Sequence, residues 1–293
     1  MLLLRGAVAA LRKAGHSVSL LAPSGPGSAL VGPGPGEVEA VLPWDGPAVA
    51  RLFAAREAID ADALRLLSPF PAVIAYTGNH DLVRALGATG ARVVAHPPLP
   101  PPDGPHAARW LAEAVGALGG DPSVTPPTME AIAAEGERAR EWLDRLPRTF
   151  LAVHPGSGSA RKNWPRERFA ALVDALAAGR PWLLAEGPAD VESARALGEG
   201  PHVVHARALP PRVLGAILAR AALYVGNDSG VSHLAAAWGA PTLALFGPTD
   251  PRQWAPVGPR VAVIRSGEGT MDSITVDAAV AAAQAMTGGP TIV

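Results

Sequence analysis

The chain has 293 residues, long enough for two domains at roughly 100–200 residues each. Its 48% hydrophobic and 17% charged content is that of an ordinary globular protein, and a net charge of −1 argues against nucleic acid as a partner, because affinity there comes from Lys and Arg neutralising phosphates. There is no cysteine, which excludes disulfides, thiolate metal sites and cysteine nucleophiles. No apolar run approaches the ~20 residues that span a bilayer. The opening MLLLRGAVAALRKAGH has no basic stretch before its apolar run and no cleavage site after it, so the chain reads as cytoplasmic.

In chain order, short β-like runs alternate with longer Ala/Leu/Arg stretches at helical spacing, the signature of βαβ units on a parallel sheet. Residues 2–14 read as a helix and SVSLLA (17–22) as a strand; a Gly/Pro-rich loop fills 23–36 before the strand EVEAVLPW (37–44). A helix over 48–59, the strand PAVIAYT (71–77), a short helix over 81–86 and the strand ARVVAH (91–96) follow. PPLPPPDGP (97–105) is a rigid loop, and helices over 106–118 and 129–146 close the half.

The second half is more regular. FLAVHPG (150–156), PWLLAEG (181–187), HVVHA (202–206), ALYVGNDSG (222–230), PTLALFGPTDP (241–251) and VAVIRSG (261–267) are strand-and-turn runs. Helices over 166–178, 189–197, 211–220, 231–238 and 276–286 accompany them. No solenoid repeat is visible. The seam falls near Pro147, giving domains 1–147 and 148–293, and in doubly wound domains of this kind ligands sit at the C-terminal ends of the strands.

The most informative segment is Tyr224-Val-Gly-Asn-Asp-Ser-Gly-Val-Ser-His233, where an apolar strand stops at Gly226, a polar turn follows and a helix starts near Ser229. A helix start presents free N–H groups and about half a positive charge. Ser229 and Gly230 thus form an anion site, in which the glycine lets a phosphate reach the backbone. His233, four residues after Ser229, shares its helix face and can add a donor. Asp228 either takes a sugar hydroxyl or simply caps the helix, as Asp and Ser ordinarily do.

A second element is His154-Pro-Gly-Ser-Gly-Ser-Ala-Arg-Lys-Asn-Trp-Pro165, again between a strand and a helix. Ser157, Gly158 and Ser159 offer backbone and hydroxyl donors, and Lys162 a mobile positive charge for a diphosphate. The basic residues are nearly all Arg; Lys13 and Lys162 are the two lysines, so one inside a candidate site is noticeable. The run lacks the Gly-Lys-Ser/Thr ending of a Walker loop and is not GxGxxG. Standing alone it is also a plain loop. Thr249, in Leu245-Phe-Gly-Pro-Thr-Asp-Pro251, can cap a pocket wall or merely belong to a stiff turn. In the Ala185-Glu-Gly-Pro-Ala-Asp190 turn and at Glu192, a carboxylate at a strand end can take ribose hydroxyls. The convergence of two anion-friendly turns on one sheet favours a ligand over two ordinary loops.

HPGSGSARKNWPRERFAALVDAL, ILARAALYV and GNDSGVSHLAAAWGAPTLALFGPTDP resemble glycosyltransferase family 9, the ADP-heptose:lipopolysaccharide heptosyltransferases. The resemblance is specific over 150–257 and traceable upstream in HAARWLAEAVGALG. It implies the GT-B fold, two Rossmann-like doubly wound α/β domains facing a central cleft. It implies transfer of a heptose or related sugar from an ADP-sugar, or another nucleotide-diphosphate sugar, to a cell-envelope glycolipid or glycan. That transfer is inverting and needs no cofactor or essential metal, and the acceptor implies peripheral contact with the inner membrane surface. By position Lys162 contacts the donor phosphates with Ser157 or Ser159 beside it, Asp228, Ser229, Gly230, Val231 and His233 form the phosphate turn, and Leu209 packs on adenine. Trp164-Pro165 resembles the family's step after the lysine.

The family's catalytic carboxylate sits on a Gly-Asp step in the first strand–helix loop. MLLLRGAVAALRKAGH resembles the helix after that step, and no Gly-Asp precedes it, so the N-terminal domain is expected to lack its first strand and its base. Either the chain starts at an internal methionine, the favoured explanation, or it is a short variant with weak or lost catalysis. Asp81, in TGNHD beside His80, is the other carboxylate considered as a base, against an ordinary role at a helix start. Three readings result: a glycosyltransferase, a nucleotide-sugar-binding homologue without turnover, and a different GT-B enzyme such as a nucleotide-sugar epimerase.

Overall fold

A computed structural model describes residues 1–54, 60–187, 197 and 200–288. The helix expected over 189–197 with Asp190 and Glu192, and the end of the one expected over 48–59, lie outside the described residues. The chain divides into two compact units, Leu3–Pro127 and Thr128–Val293.

In the first unit, α1 (Arg5–Lys13) leads to β1 (Ser19–Ala22), α2 (Ser24–Ser28), β2 (Ala40–Pro43), α3 (Pro47–Ala54) and α4 (Ala61–Leu67). Then come β3 (Ala72–Tyr76), α5 (His80–Gly87), β4 (Arg92–His96) and α6 (Ala107–Glu113). Two helices were not expected. α2 lies inside the Gly/Pro loop and packs closely on β2: a Cβ on Gly27 would stand 2.9 Å from Val41 Cγ1. α4 starts at Asp60, whose carboxylate accepts from the Asp62 N–H, an ordinary N-cap signal.

The four strands form two separate parallel pairs, β1–β2 and β3–β4. In the doubly wound order 3-2-1-4-5 they correspond to strands 3-2 and 4-5. Among the described residues no strand occupies the place of strand 1, the strand that would feed α1. Ala7, Ala10 and Leu11 of α1 share one apolar cluster with Val18, just before β1, and with Ile74 in β3. Leu20, Leu21, Val73 and Ile74 are only half-buried. Parallel strands are ordinarily covered on both faces.

The second unit opens with α7 (Ala133–Leu143) and β5 (Leu151–His154), followed by α8 (Arg166–Ala177), β6 (Trp182–Glu186) and β7 (Val203–Arg207). It continues with α9 (Pro211–Leu218), β8 (Leu223–Asn227), α10 (Gly230–Ala237), β9 (Thr242–Phe246), α11 (Pro251–Trp254), β10 (Val261–Arg265) and α12 (Val276–Thr287). α11 falls where a loop was expected, capped by Asp250. The strands make one parallel sheet in the order β10-β9-β8-β5-β6-β7. Leu151 and Val153 enter one core and Phe150 and Ala152 another, so period-two alternation gives the sheet a core on each face.

The division at Pro127 and Thr128 differs from the seam read near Pro147, because α7 packs on α9 of the second unit. Arg212 explains the attachment: it is buried, its Nε is 2.5 Å from Glu135 Oε1, and its Nη2 donates to the Glu130 carbonyl. No helix among the described residues is long and apolar enough to cross a membrane.

Candidate functional site

The strand order of the second unit reverses between β5 and β8, the point where doubly wound sheets bind ligands. His154 is in register with Gly226, so the loops leaving both strands start side by side. Gly226 has no room for a side chain: a Cβ there would lie 2.3 Å from the Tyr224 hydroxyl. That hydroxyl is 3.1 Å from Ser232 Oγ, and Ser232 Oγ donates to the Asn227 carbonyl at 2.5 Å. Buried hydroxyls thus fix the turn from beneath.

Asn227 joins the two loops. It is fully buried; its Oδ1 accepts from the Trp164 N–H at 3.1 Å and its Nδ2 donates to the Pro155 carbonyl at 2.7 Å. Sequence reasoning passed over this residue. The available signal was an amide side chain at the end of an otherwise apolar buried strand, where a polar group needs partners.

Within the first loop, Ser157 Oγ lies 2.7 Å from both the Ser159 carbonyl and Asn163 Oδ1, and it accepts from the Ser159 N–H. Its hydroxyl closes the loop. Gly158 is exposed, and a Cβ there would meet nothing within 4 Å. A single 3-10 turn, Ala160–Lys162, brings the lysine back over the sheet edge. Lys162 Nζ donates to Asp228 Oδ2 at 2.7 Å, with the carboxylate 9% and the lysine side chain 33% exposed.

The N-cap is Ser229, not Asp228: Ser229 Oγ accepts from the Ser232 N–H, and the Ser229 carbonyl accepts from the His233 N–H. Asp228 instead holds Lys162. The amides of Gly230 and Val231 remain the unpaired first-turn donors of α10 among the described residues. Gly230 is exposed with open space where a side chain would be. Val231 and Leu209 are half-buried against the same apolar cluster, and His233 is half-buried on α10.

Lys162 therefore meets Asp228, which directly precedes the Ser229, Gly230 and Val231 turn. An ammonium has three donors. One is engaged by Asp228, the residue just before the cap of α10, whose first turn carries the free Gly230 and Val231 amides and the positive end of the helix. Free first-turn amides near a lysine are chemically suited to an anion. Thr249 is half-buried on the loop after β9 and forms no part of this hydrogen-bond set. Asp81 and His80 lie exposed in the first turn of α5, with Asp81 ion-paired to Arg84 and Asn79 serving as the cap.

The description of glycosyltransferase family 9 (heptosyltransferase) matches residues 91–279, a stretch that holds both loops. The chain belongs to that family. Lipopolysaccharide heptosyltransferase 3 of Escherichia coli is 33% identical over 148 residues, covering 47% of this chain and 44% of that one. Lipopolysaccharide heptosyltransferase 1 of Pseudomonas aeruginosa is 32% identical over 134 residues, 43% of this chain and 36% of the relative. This family 9 chain thus aligns with less than half the length of these relatives. A glycosyl transferase family 9 structure from Veillonella parvula gives a TM-score of 0.79 at 19% identity, over 98% of this chain and 93% of that one. The E. coli heptosyltransferase WaaC with ADP gives 0.67 at 21% identity, over 97% and 95% of the two chains. At such identities the likeness shows the fold, which for this family 9 protein is the GT-B type.

Proposed function

We propose that this chain is a glycosyltransferase that binds a nucleotide-diphosphate sugar through its second unit and passes the sugar, a heptose or a related one, to a cell-envelope glycolipid or glycan. The observation that carries this is the meeting of Lys162 with the Asp228–Val231 turn at the sheet's switch point. Sugar transfer leaves a nucleoside diphosphate, whose charge grows as the glycosidic bond to phosphate breaks. Fixed amides and a held ammonium placed at that charge stabilise the transition state more than the ground state. Asp228 presents Nζ in one orientation, which lowers the entropy lost when the phosphates arrive. Inversion would require a carboxylate to take the acceptor proton as its oxygen attacks the anomeric carbon. An ADP-sugar donor is favoured by the likeness to a heptosyltransferase with ADP.

Titration calorimetry against ADP, UDP and GDP tests the donor half of the reading. Saturable binding of one diphosphate, lost in Lys162→Ala, is the expected result. No binding of any of the three at millimolar concentration removes the proposal. Binding without transfer across a panel of nucleotide sugars would replace the transferase by a nucleotide-sugar-binding homologue.

A further inference from the structure

A groove of about 600 Å³ lies at the seam of α7 with α9, away from the diphosphate site. Arg148, shortly before β5, and Arg220, shortly before β8, line it, so it reaches the entry ends of strands whose far tips lead to Lys162 and Asp228. Its floor is small: Ala139 is buried, Gly136 has open space where a Cβ would stand, and Ala216 comes from α9. Beside it, Ile132 is 46% exposed, the one exposed large apolar side chain of the second unit among the described residues. Exposed apolar surface with a polar rim, next to an unfilled groove, marks an interaction site.

The rim says what kind of partner fits. Glu137, Arg140, Asp144, Arg148 and Arg220 line the groove, and none of their side chains has a hydrogen-bond or ion-pair partner among the described residues. A wholly basic rim would suit a phosphate or an anionic lipid surface. A rim that carries both signs suits a surface that also carries both, and α7 itself is such a surface. Ile132 and Leu143 lie equally far before and after the midpoint of Gly136 and Ala139, about 8 Å along the axis at the usual helical rise. Glu137 stands on one side of that point and Arg140 on the other. In a two-fold contact every pairing is made twice, in opposite directions. A two-fold axis there, with α7 antiparallel to its copy, sets Ile132 of each copy against Leu143 of the other and each Glu137 near the other copy's Arg140.

We propose that the α7–α9 groove is a self-association surface, in which a second copy of this chain seats antiparallel on α7, with Ile132 entering the groove and Glu137 pairing with Arg140 in both directions. The apolar knob supplies the energy; exposed ion pairs add little and set the register. One helix face is smaller than the roughly 800 Å² per partner of a standard interface, so the pair is concentration-dependent, with a Kd on the order of 10–100 µM. The diphosphate site stays open in both copies.

The test is sedimentation velocity of the intact chain from about 1 to 200 µM, a span that brackets this Kd. It compares the unaltered protein with Ile132→Asp, Glu137→Arg, Arg140→Glu and the double variant Glu137→Arg/Arg140→Glu, with circular dichroism to show that each is folded. The unaltered protein is expected to pass from monomer to dimer across the range. Each single variant weakens the dimer at least about tenfold, because like charges or a desolvated carboxylate then meet at the axis. The double variant swaps the pair in both copies and restores the dimer. A monomer throughout overturns the proposal, including a monomer whose groove instead holds phosphatidylglycerol vesicles. Association that the single variants leave unchanged, or that the double variant does not recover, overturns it too, because contact through strand edges is blind to the swap.

Discussion

The side chain of Asn227 accepts from the backbone N–H of Trp164 at 3.1 Å, and through that bond the tip of β8 holds the end of the loop that carries Lys162. Replacement by alanine leaves the Trp164 N–H and the Pro155 carbonyl buried without partners. Each such orphan costs about 1–3 kcal/mol. Asn227→Ala is expected to lower stability by about 2–4 kcal/mol in urea titration and to weaken diphosphate binding although it touches no ligand. Stability within about 0.5 kcal/mol of the unaltered protein, the usual range of a surface substitution, would show the bridge to be idle.

Lys162 and Asp228 should behave asymmetrically. Lys162→Ala leaves a nearly buried carboxylate without its cation, a strongly unfavourable arrangement. With the lysine a third exposed, screening reduces the effect to about 1–2 kcal/mol. Asp228→Asn leaves a lysine that can reach water and costs less. Both variants are expected to lose diphosphate affinity, Lys162→Ala by more than about tenfold because a charged donor to the phosphates is gone. Paired urea and calorimetric titrations check the order.

Gly226→Ala places a methyl group against the Tyr224 hydroxyl, at 2.3 Å in the unaltered backbone. Something must shift, and Tyr224 is held by Ser232. Overpacking of this kind costs about 1–3 kcal/mol. The turn that follows moves with it, so ADP affinity is expected to fall in parallel. Normal affinity and normal stability together would contradict the fit described here.

Asp250 provides a pH signature. The side-chain hydrogen bond from Arg252, followed by that residue's backbone N–H, holds the carboxyl at about 2, down from its ordinary 3.8. The folded state therefore binds this proton less readily than the unfolded one, so the contribution is present above the ordinary value and lost as pH falls towards 2. The group is half-buried at the surface and the effect small. Asp250→Asn is expected to flatten that part of an acid denaturation curve, with no change near neutrality.

The two units should also differ in local stability. Strands β5, β8 and β9 are buried along their whole lengths, whereas β1 to β4 are mostly half-buried or exposed. Backbone amides of the first set are expected to exchange with deuterium last, and those of the second set earlier. Equal protection would refute the contrast.

Most strands and helices of the second unit were legible from alternation and caps, because each buried parallel strand is a short apolar run ended by Gly or a polar turn. The Lys162 and Ser229–Gly230 elements were legible for the same reason, each standing between a strand and a helix. What escaped depended on partners distant in sequence. The seam read near Pro147 differs from the division at Pro127 because α7 is tied to α9 by contacts distant in sequence, the Arg212–Glu135 pair and the packing of Ala139, Trp142 and Leu143 on the cluster that holds Val213 and Ile217. Asn227 reads as one more polar turn residue until Trp164 and Pro155 are seen around it. α2, in a Gly/Pro-rich stretch, contradicts local propensity, and contact with β2 is what sustains it.

The division of the smaller unit into two ribbons bears on how the protein must be handled. Among the described residues each ribbon has strand edges that no other strand pairs, and an extended peptide can pair with such an edge. Crowded preparations should therefore stick together through β1 and β3 sooner than through the covered six-stranded layer, and dilution or a short apolar peptide competing for those edges should keep the molecules apart.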